Sequence, residues 1–113
     1  MHEIGIAQDL SAIVLEAAKK ENLSKVTRVS ICMGKMVQIV PDIFSFAFRE
    51  AVRNSIANDA ELDIEVAELR MVCRNCGNVF KPDDNMFSCN VCNSSDTDIM
   101  HGRELFIKSI EGE

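Results

Sequence analysis

The chain has no tryptophan, no tyrosine and only two histidines, and its 18 acidic residues outnumber its 12 basic ones. The resulting formal charge of −6 disfavours a nucleic-acid binder, which needs a basic face to meet phosphates. It leaves room for a protein partner or for a cation as cargo. No window approaches the roughly eighteen apolar residues of a membrane-spanning helix, so no membrane crossing is expected. The start, Met1-His2-Glu3, has neither the basic region nor the apolar run of a secretory signal. Nor can a nucleophile–base pair or an open metal position be read for catalysis. Gly34-Lys35 lacks the other glycines of a loop that wraps backbone N–H groups around phosphates. The expectation is therefore a protein that is not an enzyme.

What is present is cysteine in a pattern. Cys73-Arg-Asn-Cys76 is followed by twelve residues and then by Cys89-Asn-Val-Cys92. Two C-x-x-C pairs at this separation are a zinc signature. The short spacer lets two thiolates of one turn share a metal, and the longer one lets the chain fold back to complete a tetrahedron. Gly77 supplies the open backbone such turns need. The competing reading is two disulfides or four unrelated thiols. Five cysteines, four of them paired as ligands, fit a reducing cytoplasm. Cys32, the fifth, reads as a small, half-buried strand residue.

Around the cysteines the apolar pattern gives two helices and three strands. Ile6, Leu10, Ile13, Val14 and Ala17 share one helical face, so a helix is expected over residues 4–21. Asn22 is suited to a left-handed stop, with Leu23 packing back. Thr27, Val29, Ile31 and Met33 alternate with Arg28, Ser30 and Cys32, a half-buried strand. Pro41 opens a second helix, with Phe44, Ala47, Phe48, Ala51, Val52 and Ser55 facing the core, Ile43 and Phe46 widening that face, and Asn58-Asp59 as its end. Residues 61–69 alternate as a second strand whose Glu61, Asp63 and Glu65 form a solvated acidic stripe. Residues 103–111 make the last strand. The expected architecture is α+β: a small mixed three-stranded sheet with two helices, plus an inserted zinc-ribbon or knuckle domain. Residues 1–69 and 101–113 form the α/β domain, and residues 70–100 the metal domain. If the strands flanking the insertion are neighbours, the knuckle projects from the sheet edge.

His2 stands beside a free terminus and before Glu3. A bulky second residue blocks removal of the initiator methionine, so Met1 is expected to keep its amine. That amine, the backbone nitrogen of His2 and its imidazole Nδ1 can close fused five- and six-membered chelate rings, with Glu3 as a fourth donor. Nitrogen and oxygen donors in a plane suit nickel(II) or copper(II). The bland alternative is a solvated terminus.

Taken together, Met1-His2-Glu3, the Pro41-led helix with Phe44, Phe46 and Phe48, Leu62-Asp-Ile-Glu65, the paired C-x-x-C and Gly102-Arg103-Glu104-Leu105 resemble the HypA/HybF family of hydrogenase nickel-incorporation proteins. The resemblance covers essentially the whole chain. It implies a nickel metallochaperone that binds Ni(II) as cargo through the N-terminal amine of Met1, His2 and Glu3, with a structural Zn(II) on Cys73, Cys76, Cys89 and Cys92. It also implies a partner GTPase, the large subunit of [NiFe]-hydrogenase as recipient and, in some relatives, urease maturation. Many relatives carry proline after the third cysteine and glycine after the fourth. Here those positions are Asn90 and Asn93, which also suit tight turns. His101, near the exit of the knuckle, reads either as an exchangeable ligand or as a solvated turn residue. Two other functional classes stay open on the residues alone. One is a zinc-ribbon adaptor that docks proteins and ignores nickel. The other is a rubredoxin-like iron site, in which the two-helix domain would have no role.

Overall fold

The computed structural model describes residues 2–82 and 87–113, with His2 described by its backbone. The chain divides into two compact units. One comprises Met1–Cys32, Ile39–Glu65 and Leu105–Glu113, the other Met33–Gln38 and Val66–Glu104. The elements in order are helix α1 (His2–Lys20), strand β1 (Val26–Gly34), a 3-10 turn (Lys35–Val37), helix α2 (Pro41–Ala51), and strands β2 (Glu61–Ala67), β3 (Arg70–Cys73), β4 (Val79–Phe80), β5 (Thr97–His101) and β6 (Leu105–Gly112).

In the first unit α1 packs against α2. The buried stripe of α1 is Ala7, Leu10, Ser11, Val14 and Ala18, spaced as one helical face. Ile13, expected in that stripe, is 54% exposed. The expectation followed the bulky residues, whereas the contact uses small ones, Ala7 and Ala18. Buried Ser11 is satisfied by donating to the Gln8 carbonyl at 2.8 Å. The helix stops where Asn22 takes φ 57. Leu23 N–H then reaches the Ala18 carbonyl (2.9 Å) and Asn22 N–H the Lys19 carbonyl (3.1 Å), the paired bonds of a Schellman ending.

Phe44, Phe48 and Val52 form the buried side of α2, and the two rings stack 6.0 Å apart. Ile43 and Phe46 do not widen this face, being 51% and 70% exposed. Phe46, two positions from both Phe44 and Phe48, lies on the far side of the helix. The α-helix ends at Ala51, earlier than expected, and turns fill the span to β2.

The three-stranded sheet has the order β2-β1-β6. β1 and β6 run antiparallel: Ser24 N–H meets the Glu113 carbonyl (2.7 Å) and Gly34 N–H the Glu104 carbonyl (2.6 Å). β1 and β2 advance in the same sense, Arg28 pairing with Glu61 and Asp63, and Lys35 with Glu68. Parallel strands need a crossover, and α2 provides it. The sheet is mixed, as expected, but β2 and β6 are not neighbours, because β1 lies between them. That central place explains why Cys32 is buried outright, 5% exposed, where the pattern suggested half-burial. The acidic stripe of β2 faces solvent and is answered by Arg28 and Lys108. Exposed pairs of this kind add little stability each.

The second unit holds a further sheet, β4-β3-β5, antiparallel throughout. Met71 faces Phe80 across β3–β4 and Ile99 across β3–β5. Its core is small: Met71, Cys73, Phe80 and Cys89, with Leu69, Cys92 and Ile99 packed on them. The segment Met33–Gln38 completes this unit. Met36 N–H donates to the Gly102 carbonyl at 2.8 Å, and Gly34 lies against the same peptide. A Cβ on Gly34 would sit 2.0 Å from the Gly102 oxygen, and both partners are backbone, so neither can swing aside. Gly34→Ala is therefore expected to destabilise the protein by about 3 kcal/mol, the upper end of ordinary overpacking. A drop in the thermal midpoint measures it, and an unchanged midpoint would show that the crossing yields.

Among the described residues, no helix is long and apolar enough to cross a membrane.

Candidate metal centre

The cysteine unit builds the same turn twice. Cys73 ends β3. Cys76 N–H then points at Cys73 Sγ (3.4 Å), and Gly77, at φ 79, donates its N–H to the Cys73 carbonyl (2.9 Å). In the second pair Val91 N–H points at Cys89 Sγ (3.3 Å), and Asn93, at φ 62, donates to the Cys89 carbonyl (3.0 Å). The fifth position of each turn must be left-handed. Glycine meets that demand without a Cβ, and asparagine is among the residues that tolerate it best. The departure at Asn93 thus leaves the turn intact. Asn90 serves alongside it, its Oδ1 accepting from Asn78 Nδ2 at 2.7 Å.

Between the turns the four sulfurs converge. Cys73 Sγ lies 3.5 Å from Cys92 Sγ, and Cys76 Sγ 3.6 Å from Cys89 Sγ. All four lie within 4.8 Å of one another. Disulfides are excluded here, since all four cysteines are free and an S–S bond is about 2.05 Å. A tetrahedral zinc with Zn–S bonds of about 2.3 Å spaces its sulfurs about 3.8 Å apart. The donors present fit a four-thiolate metal, and that set leaves no open position for a reacting molecule. Among the described residues the cluster contains only these cysteines.

Electrostatics prepare the sulfurs for a cation. The Cys89 thiol is lowered to about 6 by the backbone N–H of Cys92, with further help from Val91 N–H and the Asn78 amide, against its desolvation. The Asn75 amide, followed by the Ser94 backbone, lowers Cys92. At Cys76 a backbone bond from Asn78 works downward, but desolvation and the three neighbouring sulfurs outweigh it and push the thiol up to about 12. Asn75 and Asn78, as amide donors to sulfur, were not singled out by the sequence reading. Their one signal is position, just before and two after Cys76. Arg74 was missed as well. It ties the first turn to the exit of the second, reaching Asp98 Oδ2 at 3.2 Å and Asp96 Oδ1 at 3.8 Å, and it lowers the Asp98 carboxyl.

His101 lies outside the sulfur cluster. Its Nδ1 is 3.3 Å from Glu104 Oε2, while Glu104 Oε1 accepts the Gly102 N–H at 2.5 Å. The Glu104 carboxyl is held below its usual range by its own backbone N–H and that of Gly102, with His101 adding to them. A depressed carboxyl contributes stability above its unfolded pKa of about 4.3, and that contribution is lost as pH falls through the lower folded value. Glu104→Gln is expected to flatten this acid limb. Urea midpoints at pH 7 and about pH 3 should converge in the variant relative to wild type, and equal pH dependence in both would refute it.

At the other predicted site Glu3 reaches the entrance of α2. Glu3 Oε2 accepts the backbone N–H of Val40 at 3.2 Å. Met1 and the side chain of His2 lie outside the described residues, and the backbone of His2 opens α1.

A model of the family described as hydrogenase/urease nickel incorporation, metallochaperone, HypA, matches residues 1–112. The chain belongs to the HypA family. Hydrogenase maturation factors HypA are similar to it along nearly their whole length. That of Caldanaerobacter subterraneus is 34% identical over 100% of both chains. That of a Picosynechococcus strain is 32% identical, with 98% of each chain covered. Solved HypA structures share the fold. One HypA protein, determined in solution, is 31% identical with a TM-score of 0.77, covering 100% of this chain and 97% of its own. The nickel metallochaperone HypA from Helicobacter pylori is 32% identical with a TM-score of 0.71, covering 99% of this chain and 97% of its own. The α+β class expected from the apolar pattern is thus the fold of the HypA family, and the four cysteines form a cluster whose sulfurs could hold a metal ion.

Proposed function

We propose that this chain is a nickel metallochaperone that takes Ni(II) at its N-terminus, through the Met1 amine, His2 and Glu3. It delivers that cargo during [NiFe]-hydrogenase maturation, to the hydrogenase large subunit and with the help of a partner GTPase. Urease maturation proteins are further recipients of the same kind. Zn(II) on Cys73, Cys76, Cys89 and Cys92 is structural. Nickel work belongs to residues 1–69 and 101–113, zinc binding to residues 70–100, and the setting is the cytoplasm, without nucleic acid, membrane or a catalytic step of its own. The observation that carries this reading is the family match over residues 1–112, which includes the N-terminal triplet. Chemistry supports the split of roles. A closed thiolate shell suits a metal that stays, while a site at a chain terminus lets a recipient remove donors one at a time. The test is calorimetric titration with Ni(II) of untagged protein and of protein carrying one extra residue before Met1. The extra residue turns the amine into an amide and is expected to weaken binding sharply. Equal binding by both forms would remove the N-terminal site. A zinc-ribbon adaptor would show no tight nickel site in either.

A further inference from the structure

Two sulfur contacts cross from one cysteine turn to the other. Cys76 Sγ lies 3.6 Å from Cys89 Sγ, and Cys92 Sγ 3.5 Å from Cys73 Sγ. Each joins an accessible sulfur to a buried one: Cys76 is exposed and Cys89 buried, Cys92 is half-buried and Cys73 buried. Within a turn the first sulfur is faced by backbone, Cys76 N–H pointing at Cys73 Sγ and Val91 N–H at Cys89 Sγ. An accessible thiolate poised beside a resolving sulfur is the arrangement of a redox-sensing pair. The partners must close to about 2.05 Å to form a disulfide, and they start in contact. Cys32 has no part in this arrangement, being buried in β1 in the other unit.

We propose that the cluster is a peroxide-sensitive switch, in which oxidation joins Cys76 to Cys89, then Cys92 to Cys73, and expels the metal. This rests on the zinc reading above. The exposed Cys76 thiolate attacks hydrogen peroxide. An S–O bond forms, the O–O bond breaks and hydroxide leaves, giving a sulfenic acid. The Cys89 thiolate then attacks the Cys76 sulfur. The S–S bond forms as the S–O bond breaks, and a second hydroxide leaves. Two protons from solvent convert both hydroxides to water, so two thiolates lose two electrons and the peroxide gains them. A disulfide sulfur lacks the thiolate charge that binds metal, so the cluster is left with two donors. Cys92 and Cys73 repeat the sequence with a second peroxide. Both new bonds run between the turns, so the oxidised unit stays tied together, and a thiol reductant regenerates the four donors by exchange.

The test uses the untagged full chain, its zinc content measured first. Hydrogen peroxide is added while a chromogenic chelator follows zinc release. Free thiols are then alkylated and disulfides mapped by tandem mass spectrometry, with cleavage after Arg74 and Val91 separating the cysteines of each turn. One equivalent of peroxide is expected to give Cys76–Cys89 in step with zinc release, and excess peroxide to add Cys73–Cys92. Dithiothreitol with zinc should restore the starting state. Bonds within a turn, bonds between molecules, a bond to Cys32, or zinc retained under excess peroxide would overturn the proposal. Cys32→Ala is expected to change neither rate nor pattern. Cys76→Ser is expected to slow the first oxidation by about tenfold, since exposure governs attack, and an unchanged rate would overturn the proposal. Should that variant fail to hold zinc, alkylation of wild type decides: Cys76 is expected to react ahead of Cys73 and Cys89, and the reverse order would overturn the proposal. Protein that carries no zinc before oxidation refutes the zinc reading, whereas the disulfide map tests the pairing with or without metal.

Discussion

His2→Ala is expected to lose the stoichiometric nickel site while the protein stays folded. In the proposed site the imidazole closes the six-membered ring, and without it the amine and one backbone nitrogen would hold the ion poorly. Loss of a group that merely orients a ligand costs 10–100-fold in metal affinity, so loss of the ligand itself should exceed about a hundredfold. The described residues at the start of α1 add little to the core. Ile4 is 62% exposed, and the buried stripe of α1 starts only at Ala7. Calorimetry with Ni(II), beside a circular dichroism melt, reads both halves of the expectation. Tight binding by folded His2→Ala protein would sink the assignment of cargo to the terminus.

Removing the metal from the cysteines should have the opposite profile, with structure lost locally. The second unit has four buried apolar residues at its centre, and two of them are Cys73 and Cys89. Take away the ion and half of that core becomes thiols, while β4 contributes only Val79–Phe80 to the sheet. Metal binding in small units of this kind contributes on the order of 10–16 kcal/mol, and that free energy is folding free energy. Cys89→Ser, or a strong chelator at neutral pH, is expected to collapse the amide dispersion of β3 and β5 in NMR spectra while that of α1 and α2 persists. A metal-free protein with a fully dispersed cysteine unit would show that the short sheets suffice alone.

Much of this architecture is legible in the sequence, for reasons that differ by element. The cysteine cluster is legible because metal ligation fixes residue type and spacing together. Helix α1 is legible because its period is long enough to average over single residues, and its end because Asn22 carries its own stop signal. What failed were choices of face. Ile13, Ile43 and Phe46 are apolar yet exposed, since hydrophobicity at helical spacing tells which residues cluster but not how wide the covering neighbour is. Strands β3, β4 and β5 span two to five residues, too few for alternation to register. The neighbours of β1 depend on pairing across the chain, which no local window contains. The Glu3–Val40 bond was beyond reach for the same reason, joining a side chain to a backbone 37 positions away.

The cysteine unit is discontinuous, made of Met33–Gln38 and Val66–Glu104, and this bears on how the protein is synthesised. Its first piece leaves the ribosome before α2 and β2, and the acceptors for Gly34 and Met36, the carbonyls of Glu104 and Gly102, follow the second cysteine pair. Strand β6, which completes the other sheet, comes later still. Neither unit can close until nearly the whole chain has emerged, and contacts so distant along the chain form slowly. During that interval the thiols of the first pair are exposed without their partners. Under the zinc reading proposed above, the metal can close its thiolate shell only once the second pair has emerged.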